Sequence, residues 1–345
     1  MLHPENFIPA NNENIQYFGR WDFSDSLYPK HSWPGVYVFA AFTGKSIGIR
    51  ISDNINFYNV YIDGKFYSVF HGNKEGEADY IITDNLSDSD HSIKISKRNI
   101  VFESVFSFSG FLLEDGAKLL PPPQRPELRI EFIGDSYTAG ESDEAKVQEL
   151  TWEERYPVTN IDKGFAVLIA NHYNADYNTI CRSGCGMVCD WQGNFNASIP
   201  ALFNRTLMEI PELKWNFKNW IPDLAVVALG LNDYSGLKDK EGNVTEEKAS
   251  IFRKGYHEFL TTLRNVYPGI KLLALAPYTE WIRSNVKQVV EEEKAGGKTD
   301  IYYAHYDYFP GGYVGNGHPT VETHKKMADQ LIEAIDSLKI ISVTD

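Results

Sequence analysis

The sequence predicts two domains of different class: an all-β sandwich or jelly roll, then an α/β domain with a mostly parallel sheet. Three observations carry this. Before about residue 120 the chain breaks into short β-branched and aromatic runs separated by turn residues. The stretch "KLLPPPQRPELR", Lys118 to Arg129, then sets three consecutive prolines in a row. These can neither continue a helix nor join an interior ladder, so they favour an extended linker. Beyond them, apolar strands alternate with amphipathic helices, the pattern of an α/β layer fold. The division is therefore a β-sandwich over 1–120, a Pro-rich linker over 121–128 and an α/β domain over 129–345. A chain of 345 residues is also longer than one core comfortably fills.

In the first domain the expected strands are "GVYVFAAF", "SIGIRIS", "NFYNVYIDGKFYSVF", "HSIKISK" and "SVFSFSGFLL". Asp63-Gly64 sits between two alternating segments, the strongest local signal for a tight hairpin. In the second, "LRIEFIG", "DYNTI", "DLAVVALG" and "IKLLALAP" read as buried parallel strands, and "IYYA" is strand-like. Between the third and fourth, Phe252, Tyr256, Phe259, Leu260 and Leu263 share one helical face. Thr245 is placed to cap that helix, with Glu246 and Glu247 at its positive end. A final helix after His318-Pro319 places Met327, Leu331, Ile335 and Leu338 at the same spacing.

Composition narrows the function classes. The formal net charge of −14 opposes binding to a nucleic-acid backbone or an anionic membrane. A neutral partner fits better, and aromatics at 14% supply rings suited to sugar faces. No signal peptide or membrane-length apolar run is visible, so a cytoplasmic location is expected, or a secreted one if a leader has been removed. The cysteines are Cys181, Cys185 and Cys189, three in all, too few for a disulfide framework. Their spacing of four would align on a helix, but "CRSGCGMVC" carries two glycines and matches no zinc spacing. No metal and no cofactor are expected.

In open α/β sheets, ligands gather at the carboxyl ends of the strands. After the first strand come Gly134-Asp135-Ser136, after the second Ser183 and Gly184, and after the third "GLND", Gly230 to Asp233. The last loop, "GNGHPT", supplies His318. A serine, a glycine, an asparagine and a histidine thus converge on one rim. Each has a plainer reading: Ser136 as a helix N-cap, Gly184 as a turn glycine, Asn232 as a loop cap. Asp233 reads as a structural acceptor, and among the other histidines only His305 rivals His318.

The blocks "GDSYTAG", "SGCG" and "GLND", with a histidine before the last helix, resemble those of the SGNH/GDSL hydrolases. The leader segments "GRWDF", "SWPG", "YIDGK" and "GFLLEDGAKL" are similar to carbohydrate esterase family 2, the two-domain acetylxylan esterases. The resemblance implies a three-layer SGNH fold behind a jelly roll. It also implies a serine esterase that removes acetyl groups from acetylated xylo- or related oligosaccharides. A serine hydroxyl needs a base within hydrogen-bond reach, which makes Ser136 the nucleophile and His318 the base. The resemblance assigns the oxyanion donors to the backbone N–H groups of Ser136 and Gly184 and to the amide of Asn232. Tyr137, Trp191, Tyr234 and Trp281 are the candidate sugar-binding rings, with Tyr278 near the same rim and Glu141 and Asp190 as acceptors of sugar hydroxyls.

One element of the pattern is missing. Most SGNH hydrolases carry an Asp three residues before the histidine, and here that slot is Gly315. A carbonyl near Val314 to Asn316, the Asn316 side chain or Asp307 could take its place. The carbonyl is favoured because it fixes the tautomer without burying a charge, giving a Ser136–His318 dyad. Two other readings remain: a carbohydrate-binding protein on a degenerate esterase scaffold, and a lysophospholipase or thioesterase on the same catalytic block.

Overall fold

The structure is a computed structural model that describes residues 2–102 and 104–341. Its first part is a sandwich of two antiparallel sheets. One sheet runs in the order Leu2–Pro9, Phe106–Glu114, Ile47–Ser52, Glu77–Thr83. The other runs Leu119–Leu120, Tyr37–Thr43, Asp90–Lys97, Phe57–Ile62, Lys65–His71. Inward-facing Phe42, Ile47, Ile49, Val60, Ile93, Phe111 and Leu113 lose all contact with solvent, and they form the core between the sheets. The expected hairpin is present: Ile62 pairs with Lys65, and Asp63 and Gly64 both take positive φ, at 52° and 72°.

Residues 121–128 form no helix or strand. The linker is nonetheless strapped down by Arg125, whose guanidinium lies 4.0 Å from the Phe18 ring centroid and 3.0 Å from Asp176 Oδ2. The second part is built on five parallel strands in the order Asp176–Cys181, Arg129–Gly134, Leu224–Ala228, Lys271–Ala276, Ile301–His305. The middle of this sheet is apolar on both faces, as central parallel strands require. Right-handed crossovers place helix Phe165–His172 on the face opposite helices Glu246–Val266 and Glu280–Ala295. The last helix, Val321–Ser337, packs on Phe165–His172. Thr245 caps its helix as expected, accepting from Lys248 N. Leu338 departs from expectation: the helix stops at Ser337, Lys339 turns to φ 53°, and Leu338 is left 40% exposed.

Strand order reverses at Arg129–Gly134, so a crevice opens above the carboxyl ends of this strand and of Leu224–Ala228. The sandwich is keyed to the same strand from below. Glu131, in the middle of it, is fully buried and accepts from Arg20 Nη2 at 3.1 Å across the domain junction. Arg20 Nη1 donates to Phe203 O at 2.5 Å and Arg205 O at 2.9 Å, with the rings of Phe203, Trp215 and Phe217 around the guanidinium. Trp33 Nε1 to Thr206 O at 3.0 Å and Thr179 Oγ1 to Pro34 O at 2.5 Å complete the junction. Burial pushes the Glu131 carboxyl up, and Arg20 is the largest influence drawing it back.

Removing one partner of such a pair strands the other without compensation. Arg20→Met should lower the unfolding free energy by about 3–5 kcal/mol. Arg20→Met with Glu131→Leu should recover most of it. Chemical denaturation of the two variants checks this, and a single-variant loss below about 1 kcal/mol would contradict a strongly coupled junction.

Candidate active site

The nucleophile turn begins where strand Arg129–Gly134 ends. The chain enters tight turns rather than an α-helix: Ala139 N donates to Asp135 O at 3.1 Å, and Glu141 N donates to Ser136 O at 3.0 Å. Ser136 is therefore not the helix N-cap of the plainer reading, and its side chain accepts from no backbone N–H among the described residues. Asp135, beside it, is fully buried and does the local bracing. Its Oδ1 accepts from Tyr137 N at 3.0 Å and its Oδ2 from Asn232 Nδ2 at 3.2 Å. Burial pushes the Asp135 carboxyl up to about 7.

Gly184 stands three residues past the end of the neighbouring strand, Asp176–Cys181, with φ +80°. Neither the Gly184 N–H nor the Ser136 N–H has a protein acceptor among the described residues, so both are free to donate to a ligand oxygen. Its loop is fastened by Asp233, which accepts from Met187 N and Val188 N at 2.7 Å and from Cys189 N at 3.3 Å. Asp233 is the structural acceptor the sequence suggests, and burial pushes its carboxyl up to about 6. Asn232, in the first turn of helix Leu231–Leu237, gives one amide hydrogen to Asp135 and the other to Cys185 O at 3.1 Å. Both hydrogens are thus engaged in the resting geometry.

His318 lies on a two-residue ribbon, His318–Pro319 paired with Tyr313–Val314. The turn between them takes positive φ at Gly315, Asn316 and Gly317. That curl brings His318 Nδ1 to 2.7 Å from Gly315 O. A carbonyl can only accept, so Nδ1 carries the hydrogen and Nε2 keeps its lone pair. The other two substitutes for the missing acid are occupied elsewhere. Asn316 Oδ1 accepts from Leu150 N at 3.0 Å, and Asp307 is held by Arg283 at 2.8 Å and Gln330 at 2.9 Å.

The structure also explains the glycine. A Cβ at Gly315 would overlap Ser142 Cβ and lie 3.1 Å from Ser142 Oγ and 3.2 Å from Ala145 Cβ. The segment after the nucleophile turn fills the usual acid slot and grips the ribbon, accepting from Gly315 N at Val147 O (2.9 Å) and from Asn316 N at Gln148 O (2.5 Å).

Contacts on both sides tie the turn that carries Ser136 to the ribbon that carries His318, with no direct hydrogen bond between the two side chains among the described residues. Tyr137, next to Ser136, donates its hydroxyl to Gly317 O at 2.8 Å and sets its ring edge-on to His318 at 5.8 Å. Glu141 Oε1 lies 3.8 Å from His318 Nε2, while its Oε2 accepts from Ser183 Oγ beside Gly184. The four blocks therefore close one ring of contacts around the end of the first strand. His305 does not join it. It lies on the edge strand, three strand spacings or about 14 Å from Arg129–Gly134.

The candidate rings divide. Trp191 is 56% exposed and stands against Gly184, an open face beside the site. Tyr137 is buried with its hydroxyl engaged, so it braces the histidine turn rather than offering a platform. Tyr234 and Trp281 stack obliquely on each other at 5.7 Å, and Trp281 leans on Phe252, a half-buried packing cluster. Tyr278, which sequence reading placed near the rim, belongs to a group whose other members, Tyr308 and Tyr313, it missed. It meets Tyr308 at 5.0 Å and Tyr313 at 6.0 Å, and the last two stack in parallel at 5.0 Å. Only the closeness of Tyr308 and Tyr313 to His318 in sequence hinted at them. The three cysteines are all buried and unpaired.

The sequence profile described as Carbohydrate esterase 2 N-terminal matches residues 17–123, and that of GDSL-like Lipase/Acylhydrolase matches 130–331. The chain is 31% identical over 316 residues to an acetylxylan esterase / glucomannan deacetylase of Cellvibrio japonicus, covering 90% of this chain and 86% of that protein. It is 29% identical to the cellulase/esterase CelE of Acetivibrio thermocellus, covering 94% of this chain but 39% of that longer protein. A family two carbohydrate esterase from Clostridium thermocellum, solved in complex with cellohexaose, superposes with a TM-score of 0.84 at 27% identity. That match covers 95% of this chain and 100% of the other. The chain belongs to the GDSL-like acylhydrolases and, by its paired domains, to family 2 of the carbohydrate esterases, a family of carboxylic ester hydrolases.

Proposed function

We propose that the protein removes acetyl groups from acetylated xylo- or related oligosaccharides through an acyl-enzyme, with a Ser136–His318 dyad. The observation that carries this reading is the hydrogen bond from His318 Nδ1 to Gly315 O at 2.7 Å. It leaves Nε2 as the basic atom, on the side of the ring that faces the nucleophile turn.

In the first half-reaction Ser136 Oγ attacks the acetyl carbon as Nε2 takes its proton. Negative charge grows on the carbonyl oxygen, where the free N–H groups of Ser136 and Gly184 donate to it. Asn232 becomes the third donor by exchanging its bond to Cys185 O for one to the oxyanion. The imidazolium then protonates the departing sugar oxygen, and the acetyl group remains on Ser136. In the second half-reaction water gives its proton to Nε2 and attacks the acetyl carbon, and the imidazolium returns that proton to Ser136 Oγ as acetate leaves. Trp191, exposed beside Gly184, supplies an apolar face for the sugar that carries the ester. The relatives' names, acetylxylan esterase / glucomannan deacetylase, support this substrate class.

Acetate release from acetylated xylo-, gluco- and mannosaccharides tests the reading. Ser136→Ala should lower kcat by at least about 10³-fold with the fold intact. Full activity in that variant would end the proposal, and no turnover in the folded wild-type protein would favour a carbohydrate-binding role. Comparing acetyl with octanoyl esters separates a deacetylase from a lipid or thioester hydrolase, with acetyl expected to be preferred by about 10-fold or more if the acyl pocket is small.

Gly315→Asp offers a second check on the same site. Restoring the usual acid by sequence should not restore a triad, because Ser142 fills the space and the backbone is left-handed there. Activity is expected to fall by roughly 10²-fold or more. A rise in kcat/KM would show that the carbonyl is an inferior substitute for a carboxylate that the site can accommodate.

A further inference from the structure

His318 has a carboxylate near it after all, on the other ring nitrogen. Glu141 is 5% exposed, and its Oε1 stands 3.8 Å from His318 Nε2. Each of its oxygens is held by a second group. Oε1 accepts from Arg155 Nη1 at 2.6 Å, and Oε2 accepts from the Ser183 hydroxyl. Arg155 is itself seated over the Trp152 ring at 4.3 Å. A carboxylate held this way has little freedom to swing out and accept a sugar hydroxyl, the part sequence reading gave it. Nor is it placed as a proton relay, since 3.8 Å is too long for a hydrogen bond.

We propose that Glu141 is a positioning residue that replaces the missing acid electrostatically, stabilising the His318 imidazolium from the Nε2 side while Gly315 O fixes the tautomer from the Nδ1 side. The division of labour follows from the packing. Ser142 occupies the acid slot at Gly315, so a negative charge cannot approach Nδ1. The residue before it, Glu141, places its charge on the opposite flank of the ring instead. The attraction acts when Nε2 takes the Ser136 proton and the ring becomes cationic, and it relaxes when the proton passes to the sugar oxygen. Arg155 moderates the effect by drawing part of the carboxylate's field to itself.

Other ionisable groups lie on the elements around the histidine. Asp135 and Tyr137 lie on the nucleophile turn, Tyr313 on the paired ribbon strand, and His324 on the last helix. His324 is held neutral by burial, its titration lowered to about 3. Asp135 points to Asn232 rather than to the ring. Glu141 is thus the one carboxylate within 4 Å of His318 among the described residues.

This inference rests on the esterase reading, and the test separates the two. The measurement is kcat/KM for acetate release between pH 4 and 9 in wild type, Glu141→Gln and Arg155→Met. In Glu141→Gln the midpoint of the acid limb should fall by about 0.5–1 pH unit, because the cationic ring loses its stabilising charge. In Arg155→Met it should rise by a similar amount, because the carboxylate is no longer shared. Opposite shifts are not produced by a simple loss of packing. A limb that stays put in both variants, whatever happens to the plateau, overturns the role of Glu141. The esterase reading would be untouched by that result, since it falls if Ser136→Ala keeps its activity or if the folded wild-type protein shows no turnover.

Discussion

The hydrogen bond from His318 Nδ1 to Gly315 O decides which ring nitrogen carries the hydrogen and where the ring points. A neutral imidazole has one donor and one acceptor, so committing the donor to a carbonyl leaves the acceptor available. The turn that makes the bond runs through three consecutive residues of positive φ, Gly315, Asn316 and Gly317. Such a turn is strained for most sequences and persists where its surroundings over-determine it. Here they do: Val147 O, Gln148 O, Leu150 N and the Tyr137 hydroxyl each hold one of its groups.

The rest of the molecule supports that bond from below. A doubly wound sheet leaves a crevice where its strand order reverses, and the nucleophile turn and the Asn232 helix both start there. Buried carboxylates then do the fine positioning. Asp135 ties Tyr137 N to Asn232, and Asp233 gathers three amides of the loop after Gly184. Beneath the sheet, Arg20 reaches from the sandwich to Glu131 on the very strand that ends in Ser136. The sandwich is thereby coupled to the strand that leads into Ser136.

Much of this was legible in the sequence, for identifiable reasons. Parallel core strands such as Leu224–Ala228 are continuous apolar runs, and Asp63-Gly64 has few alternatives to a tight hairpin. Glycines and small polar residues at strand ends marked Ser136, Gly184 and Asn232 because local geometry demands those types. Other features were not legible, since they depend on contacts distant in sequence. Strand Glu77–Thr83 is too polar and exposed to announce itself. Glu131 sits in an otherwise apolar strand, and nothing local in the sequence names Arg20 as its partner. The exposure of Trp191, against the burial of Tyr137 and the packing of Tyr234 on Trp281, follows from tertiary placement and not from composition. Gly315 was read as a gap, whereas the structure shows a slot already filled by Ser142.

The central claim concerns one proton, so it is best tested by observing that proton. Nuclear magnetic resonance of protein labelled at histidine nitrogen and backbone carbonyl carbon reports the tautomer of neutral His318 and any coupling across a hydrogen bond. The account predicts the hydrogen on Nδ1, with a through-bond correlation from Nδ1 to the Gly315 carbonyl. A neutral ring carrying its hydrogen on Nε2 would contradict it, because no lone pair would then face Ser136.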